Sequence, residues 1–270
     1  MSQAPNGFGS LDLVISIVNY KNGRFLRGCL ESLSNGVDLS GCQIYVVDNN
    51  SQDNSCEFIK SSFPSVNIIQ NRTNVGFASA HNRVIKCTNS KYILILNPDI
   101  HVPHDGVARM LRFMEEHPNV GAVGCRLLNP DSSLQYSCRR FPNVITILLR
   151  GIGIDSWYPD ARVLKSYFLL DFDHKTPTDV DWVTGACMLL RRQALEQKGL
   201  FDEKYFLYYE DVDLCYRMWP DWQVLYYPHV HMVHHHLRQS HKLKNAKQLL
   251  IHIRSVSRFF SKYGLFPHRR

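Results

Sequence analysis

The sequence predicts an α/β fold, a doubly wound and mostly parallel sheet with helices on both faces. Three observations carry that expectation. Strand-like and helix-like segments alternate four times in about 90 residues, from Leu11 to Leu96. The strand-like segments are short continuous apolar runs, the pattern of strands covered on both faces. Two of them end in a carboxylate, Asp48 and Asp99, and open α/β sheets bind ligands at the carboxyl edge of their strands.

Taken in order, Leu11–Val18 is a first buried strand and Asn19–Gly23 a loop. Phe25, Leu26, Cys29, Leu30 and Leu33 share a helical face over Arg24–Ser34. Gln43–Val47 is the second strand. Ser51 or Asp53 can cap the helix through Cys56, Ile59 and Lys60. Val66–Gln70 is a third strand, Asn71–Gly76 a turn and Phe77–Cys87 a helix. Tyr92–Leu96 is the fourth strand. Pro98 lacks an N–H and ends its ladder, which leaves Asp99 just past the strand. One carboxylate there suits either a loop cap or a hard divalent cation, which in turn would hold a diphosphate.

The second half is less regular. Asp105–Glu116 reads as a helix and Val120–Leu128 as a strand, with a turn at Asn129–Ser133. In Ser137–Asp173, Arg139, Arg140 and Arg150 mix with Trp157, Tyr158, Tyr167 and Phe168. That stretch is either a partly apolar flap over a lipid or sugar, or an irregular excursion packed on the core. Asp181–Leu190 reads as a strand whose Gly185 lets a ligand or backbone approach closely. Arg191–Lys198 is a helix stopped by Gly199. Glu210, Asp211 and Asp213 then follow an aromatic run. One acid suits the first turn of a helix. Three beside Tyr208 and Tyr209 suit sugar chemistry, with an aromatic wall for stacking and a carboxylate to take a proton. Val224–Tyr227 is the last strand. His229, His231, His234, His235, His236 and His241 crowd after it, and one imidazole could complete a divalent metal site with Asp99. Over Lys242–Tyr263, Leu243, Ala246, Leu249, Leu250, Ile253, Val256 and Phe260 fall on one helical face. Lys244, Lys247, Arg254, Arg258 and Lys262 fall on the other. Such a helix either lies on an anionic membrane surface or packs on the domain with its basic face in water.

Composition excludes several classes. The 270 residues are 44% hydrophobic and 20% charged, enough apolar content for a real core. The net charge of +7 suits a phosphorylated substrate, an anionic membrane or nucleic acid. No nucleic-acid reader motif accompanies it. The eight Cys contain no C-x-x-C pair and read as reduced core residues of a cytosolic protein. The first ten residues carry no signal-peptide core, and no apolar run approaches the roughly 20 residues that span a bilayer. No G-x-G-x-x-G, Walker A or H-E-x-x-H pattern occurs, which argues against a dinucleotide dehydrogenase, a P-loop kinase or a zinc hydrolase.

Seven motifs recur in a fixed order between Leu13 and Gly264. They are Ile17-Val-Asn-Tyr20, Val46-Val-Asp-Asn-Asn-Ser51, Asn74-Val-Gly-Phe-Ala78 with Asn82, Leu96-Asn-Pro-Asp99, Asp181-Trp-Val-Thr-Gly-Ala186, Phe201-Asp with Tyr209-Glu-Asp-Val-Asp-Leu-Cys215, and Val233-His234. Together they resemble the inverting family 2 glycosyltransferases of the GT-A fold, most of all the bacterial rhamnosyltransferases of O-antigen and related polysaccharide assembly. The resemblance implies a Rossmann-like central sheet flanked by helices. Residues 1–105 would form a nucleotide-sugar-binding half, 106–236 an acceptor-binding and catalytic half, and 237–270 a basic amphipathic helical segment.

Roles follow from the same resemblance. Asp48 would bind the nucleotide base, with Val18 and Tyr20 lining its pocket. Asn74, Gly76 and Asn82 would shape the nucleotide-sugar site. Asn97-Pro98-Asp99 matches the D-x-D motif with Asn in place of the first acid, so Asp99 would hold Mg²⁺ or Mn²⁺ with less charge beside it. His234 would be the second metal ligand, with His235 its rival. Asp211 would be the catalytic base, with Glu210 beside it, and Asp181, Trp182, Gly185 and Tyr209 would frame the acceptor. The implied reaction moves L-rhamnose from dTDP-β-L-rhamnose to a lipid-linked acceptor such as GlcNAc-diphospho-undecaprenol, at the cytoplasmic face of the bacterial inner membrane. Galactofuranose or GlcNAc as the donor sugar, or nucleotide-sugar binding without catalysis, stay open as alternatives. An anionic membrane surface and self-association are open to the basic helix, and nucleic acid is not an expected partner.

Overall fold

A computed structural model describes residues 12–36, 41–151, 161–235 and 246–268. Of the sequence readings, residues 1–10, Trp157, Tyr158, His236, His241, Leu243, Lys244 and Arg270 lie outside the described residues. The first half is the predicted alternation. Leu13–Asn19 (β1), Cys42–Asp48 (β2), Asn67–Gln70 (β3) and Tyr92–Leu96 (β4) run parallel in the order β3-β2-β1-β4. Gly23–Gly36 (α1), Ser55–Ser62 (α2) and Phe77–Cys87 (α3) make the crossovers. The apolar run of β4 has a direct cause. Tyr92, Leu94 and Leu96 enter the core beneath α1, while Ile93 and Ile95 enter the core on the other face.

The same sheet continues through the second half. Ile100–His101 (β5) leads to the helix Gly106–Glu116 (α4) and to Val120–Leu128 (β6). Short strands Leu134–Gln135 (β7) and Cys138–Arg139 (β8) precede the helices Val144–Gly151 (α5) and Arg162–Phe168 (α6). Thr178–Asp179 (β9), Trp182–Val183 (β10) and Cys187–Arg191 (β11) follow, then Arg192–Lys198 (α7), Glu210–Met218 (α8), Gln223–His234 (β12) and Ala246–Tyr263 (α9). Among the described residues the order is β3-β2-β1-β4-β11-β6-β12-β5. β11 is antiparallel to both β4 and β6, and β12 is parallel to β6.

Three elements differ from the sequence reading. The strand expected over Asp181–Leu190 is two strands in different sheets. β10 pairs with β8, and β11 joins the central sheet. The chain breaks at Thr184–Ala186 because that backbone turns to bond Asp211 and Asn97. The last strand, expected to stop at Tyr227, continues to His234. A register shift between Tyr227 and His231 absorbs Pro228, whose missing N–H would otherwise end the ladder. In α9 the packed stripe is rotated from the expected one. Ser255 and Phe259 are buried, with Val256, Phe260 and Tyr263 beside them, while Leu249, Leu250 and Ile253 face outward. Arg258 and Lys262, expected in water, turn inward to Asp202 and Asp213.

The stretch after Ser137 is packed in part. Phe141, Leu164 and Tyr167 are buried, while Ile145 and Leu148 are exposed. All eight thiols are free. Six are buried, whereas Cys42 is half-buried and Cys87 is exposed because it ends α3 at the surface. Among the described residues no helix is long and apolar enough to cross a membrane.

Candidate active site

Parallel register brings the first functional group together. Asn19 pairs with Asp48 across β1 and β2, so both stand at the carboxyl edge. Asn19 Nδ2 donates to Asp48 Oδ1 at 3.1 Å and to Ser51 Oγ and Ser55 Oγ at 3.0 Å. Ser51 donates back to Asp48 through its N–H, at 3.1 Å, and through its hydroxyl. This buried polar network fixes the Asp48 carboxylate. Val18 is half-buried, and Tyr20 is 43% exposed at the end of β1, a ring available for stacking. A second set reaches the next strand. Asn71 Nδ2 donates to Asn49 Oδ1, and Asn49 Nδ2 donates to Gly76 O at 3.1 Å. Asn74 Oδ1 accepts from the Gly76 N–H at 2.9 Å. Gly76 has φ +85°, and Phe77 N–H donates to Phe206 O at 2.9 Å. A Cβ on Gly76 would collide with that Phe206 carbonyl, so glycine is required by both dihedral and space.

Asp99 and His234 meet beyond β4. His234 Nε2 lies 3.3 Å from Asp99 Oδ1, and His234 Nδ1 is 2.8 Å from Gln135 Oε1. Gln135 Nε2 also donates to His234 O, so the side chain of β7 clamps the end of β12. His235 bonds through its backbone N–H to Asp99 O, while its ring stacks near Phe25 at 5.9 Å. Of the two rivals, His234 is therefore the imidazole that meets the Asp99 carboxylate. A cavity of about 110 Å³ opens beside Asp99, lined by Arg24, Phe25, Cys29 and His235. Among the described residues no cluster of three or more His, Cys, Asp or Glu side chains forms.

The second carboxylate group sits at the start of α8. Tyr208 and Tyr209 both hold positive φ, +68° and +70°. Two successive non-glycine residues in that region are strained, and such strain collects at functional sites. The turn delivers Glu210 and Asp211 into the interior. Gly185 N–H donates to Asp211 Oδ2 at 3.0 Å, and Val212 N–H to Oδ1 at 2.9 Å. Burial raises the Asp211 carboxyl above the usual aspartate range, against those two N–H donors and the Arg139 guanidinium, which draw it down. Burial, then the neighbouring Asp211, pushes Glu210 well above the glutamate range. One short path joins the two carboxylate groups. Ala186, next to Gly185, accepts from the Asn97 N–H at 2.8 Å. Asp211 and the Asn97–Asp99 loop are thus held by neighbouring peptide units.

Other sequence candidates support these two groups. Asp181 accepts from Phe141 N–H at 2.7 Å and pairs with Arg140, while Trp182 Nε1 donates to Arg140 O at 2.8 Å. Together they tie the segment entering α5 to β10. Tyr209 is buried against Phe259 and His252 of α9. The Asn82 amide bonds the Phe201 backbone on both sides and Glu203, so it positions the 201–209 loop from α3.

Sequence reasoning missed three residues. Gln135, which sets the His234 ring, lies outside any motif and left no signal. Asn19 was inside a motif, yet was read only as a loop residue. Asp213, the third acid of the cluster, is an anchor. Fully buried, it accepts from Arg217 at 2.8 Å, Lys262 at 2.6 Å and Tyr263 at 2.9 Å. Its i,i+4 spacing to Arg217 was a legible sign.

Known proteins resemble this chain in sequence and in fold. Residues 13–199 match the family described as glycosyl transferase family 2. The N-acetylglucosaminyl-diphospho-decaprenol L-rhamnosyltransferase of Mycobacterium tuberculosis is 28% identical over 237 residues, covering 83% of this chain and 76% of the relative. Rhamnosyltransferase WbbL of Escherichia coli K12 is 29% identical over 206 residues, covering 72% and 73%. Among solved structures, the mannosyltransferase PcManGT from Pyrobaculum calidifontis, in complex with GDP-Man and Mn²⁺, superposes with a TM-score of 0.61. It is 16% identical, over 93% of this chain and 64% of its own. GalNAc-T7 with UDP, GalNAc and Mn²⁺ gives a TM-score of 0.62 at 14% identity, over 83% and 44%. The chain therefore spans less than two thirds of the length of either solved protein. At these identities the likeness shows the GT-A fold.

Proposed function

The chain belongs to glycosyl transferase family 2, and on that premise we propose that this glycosyltransferase transfers L-rhamnose, with inversion, from dTDP-β-L-rhamnose to a hydroxyl of a diphospho-lipid-linked sugar such as GlcNAc-diphospho-undecaprenol. The work is done at the cytoplasmic face of the membrane. Residues 1–105 carry the donor side and 106–236 the acceptor side. Both relatives are named for rhamnosyl transfer, which supports the sugar, and the Mycobacterium tuberculosis relative is named for a GlcNAc-diphospho-lipid, which supports the acceptor class.

The single observation that carries the mechanism is the Gly185 N–H bond to Asp211. It fixes a half-buried carboxylate one peptide from the partner of Asn97. Asp211 takes the proton from the acceptor hydroxyl as that oxygen attacks the anomeric carbon. The bond from that carbon to the diphosphate oxygen breaks on the opposite face, so a β-linked donor gives an α-linked product. The raised proton affinity of Asp211 suits a base working nearer neutrality than a free aspartate. Asp48 and Tyr20 receive the base, and Asn74 and Gly76 shape the sugar-nucleotide pocket. Asp99 and His234 fit a divalent cation by the chemistry of their donors, an anionic oxygen beside an imidazole nitrogen whose ring Gln135 orients. Mg²⁺ or Mn²⁺ held there would neutralise the departing diphosphate.

The test is transfer in vitro with dTDP-rhamnose, UDP-galactofuranose and UDP-GlcNAc, in Mg²⁺, Mn²⁺ or EDTA. Metal-dependent product from dTDP-rhamnose, falling about 10²–10⁴-fold in Asp211→Asn, is the expected result. Product from another donor overturns the sugar, and full activity in Asp211→Asn overturns the base.

A further inference from the structure

Two arginines converge beside the base and take no part in the chemistry above. Arg139 on β8 and Arg150 in the last turn of α5 stand over the same two rings. The Arg139 guanidinium carbon is 5.8 Å from the Tyr167 ring centre and 5.2 Å from that of Phe168. That of Arg150 is 5.7 Å and 5.5 Å from the same rings. Trp182 adds a third face under Arg139, at 5.2 Å. The neighbouring Arg140 pairs with Asp181. Aromatic faces hold the two guanidiniums in fixed planes, and paired planar forks bind phosphoryl oxygens two at a time.

The pair spans two neighbourhoods. Arg139 is within electrostatic reach of Asp211, and both arginines are within reach of Tyr209. Arg150 also reaches His252 of α9, whose ring lies 5.5 Å from Tyr208 and 5.9 Å from Tyr209. Beyond that the surface turns apolar. Leu148, 61% exposed, and Ile145 face out from α5, and Ile253 with Leu249 and Leu250 from α9. Val144 N–H donates to Leu265 O, which sets Leu265 and the 58% exposed Phe266 against the first turn of α5. Exposed apolar side chains gathered in this way mark a binding surface.

We propose that Arg139 and Arg150 seat the diphosphate of a lipid-linked acceptor, with the apolar surface of α5, α9 and Leu265–Phe266 carrying its hydrocarbon chain. The order along the surface matches such a molecule, with the sugar hydroxyl at Asp211, the diphosphate on the arginines and the chain outward. The proposal rests on the sugar-transfer reading above, and it assigns the acceptor's anionic group to residues other than the Asp99–His234 pair.

The experiment compares two acceptors with the same sugar and the same alkyl chain, one with a diphosphate between them and one without. Wild type should prefer the diphosphate acceptor by tenfold or more in kcat/KM, about the worth of a charge-assisted fork. In Arg150→Gln that preference should fall about tenfold through the acceptor KM, with Arg150→Lys losing less. Because the preference is a ratio within one protein, a loss of folded enzyme cancels. An unchanged preference, or a rise in the donor KM in place of the acceptor KM, overturns the proposal. Equilibrium titration with an alkyl diphosphate and with inorganic diphosphate runs beside it. Tighter binding of the alkyl form, weakened in Arg150→Gln, supports a lipid diphosphate seat. Equal binding of the two overturns the lipid part. Alkyl diphosphate binding without transfer to either acceptor would sink the sugar-transfer reading and leave the arginine seat standing.

Discussion

Gly76→Ala is the sharpest probe of how the donor loop and the base are joined. The added Cβ would lie 2.9 Å from Phe206 Cδ2 and 3.0 Å from its carbonyl carbon, and nearer still to the oxygen. Backbone cannot rotate away as a side-chain end can. Holding alanine at φ +85° and ψ 179°, a region only glycine enters readily, costs about 1–3 kcal/mol. Relieving the overlap stretches the Phe77–Phe206 hydrogen bond, worth about 1 kcal/mol, and adds packing strain of about 1 kcal/mol or more. The reduced entropy of the unfolded chain returns about 0.5–1 kcal/mol. The sum is a loss of about 2–4 kcal/mol, or a fall in Tm of roughly 5–15 °C at about 2–4 °C per kcal/mol. Calorimetry reads the stability, and titration with dTDP reads the donor pocket, which should weaken because Asn49 bonds Gly76 O. The Phe206 segment leads directly to Tyr208 and Tyr209, so kcat should fall as well. A Tm within about 1 °C of wild type, with unchanged dTDP affinity, would refute the reasoning.

Four further outcomes are expected. Asp213→Asn removes the charge that holds Arg217 and Lys262. It should cost about 2–4 kcal/mol, less than a fully enclosed pair because both cations are partly exposed. Faster hydrogen exchange across α9 is the readout, and unaltered protection counts against it. Asp211 must be deprotonated to act and Arg139 favours that form, so Arg139→Gln should move the acidic limb of the kcat profile to higher pH. A limb that stays put disproves the contact. Burial holds Glu210 above its ordinary value of 4.5, so the folded chain keeps a proton that the unfolded chain releases, and stability falls as pH rises past that value. Glu210→Gln should therefore melt higher than wild type at pH about 7 and alike below pH about 4, and equal melting at both pH values would exclude the buried strain. Gln135→Ala should weaken Mn²⁺ binding about 10–100-fold by releasing the His234 ring, measured by Mn²⁺ titration in the presence of dTDP. Unchanged affinity would remove Gln135 from the metal site.

The first four strands were legible because each is buried on both faces, which leaves an uninterrupted apolar run. β12 runs past the expected end at Tyr227, through Pro228 to His234. Its burial alternates strictly from Val224 through Tyr226, Val230 and Met232 to His234, a period of two that outranks one proline at a bulge. The split between β10 and β11 could not be read, since Gly185 turns out of the sheet for a bond to Asp211, 26 residues later. The rotation of α9 had the same kind of cause. Its stripe of Leu249, Leu250 and Ile253 is the more apolar one, yet Asp202 and Asp213 pull Arg258 and Lys262 to the inside. A long-range ion pair leaves no local periodicity. At the site, residues on strand ends were readable from position, and Gln135, held by contacts 99 residues away, was not.

The anchoring of Asp213 has a consequence for the order in which the protein becomes competent. One residue separates it from Asp211 on the same helix, but Lys262 and Tyr263 lie 49 and 50 positions further along the chain. During synthesis the strands of the donor side, and Asp211 itself, emerge well before those partners. Until they arrive, the helix that bears the base lacks the contacts that hold its inner face to α9. The growing chain would assemble its donor side first, and the helix that bears Asp211 would be secured only once α9 had emerged.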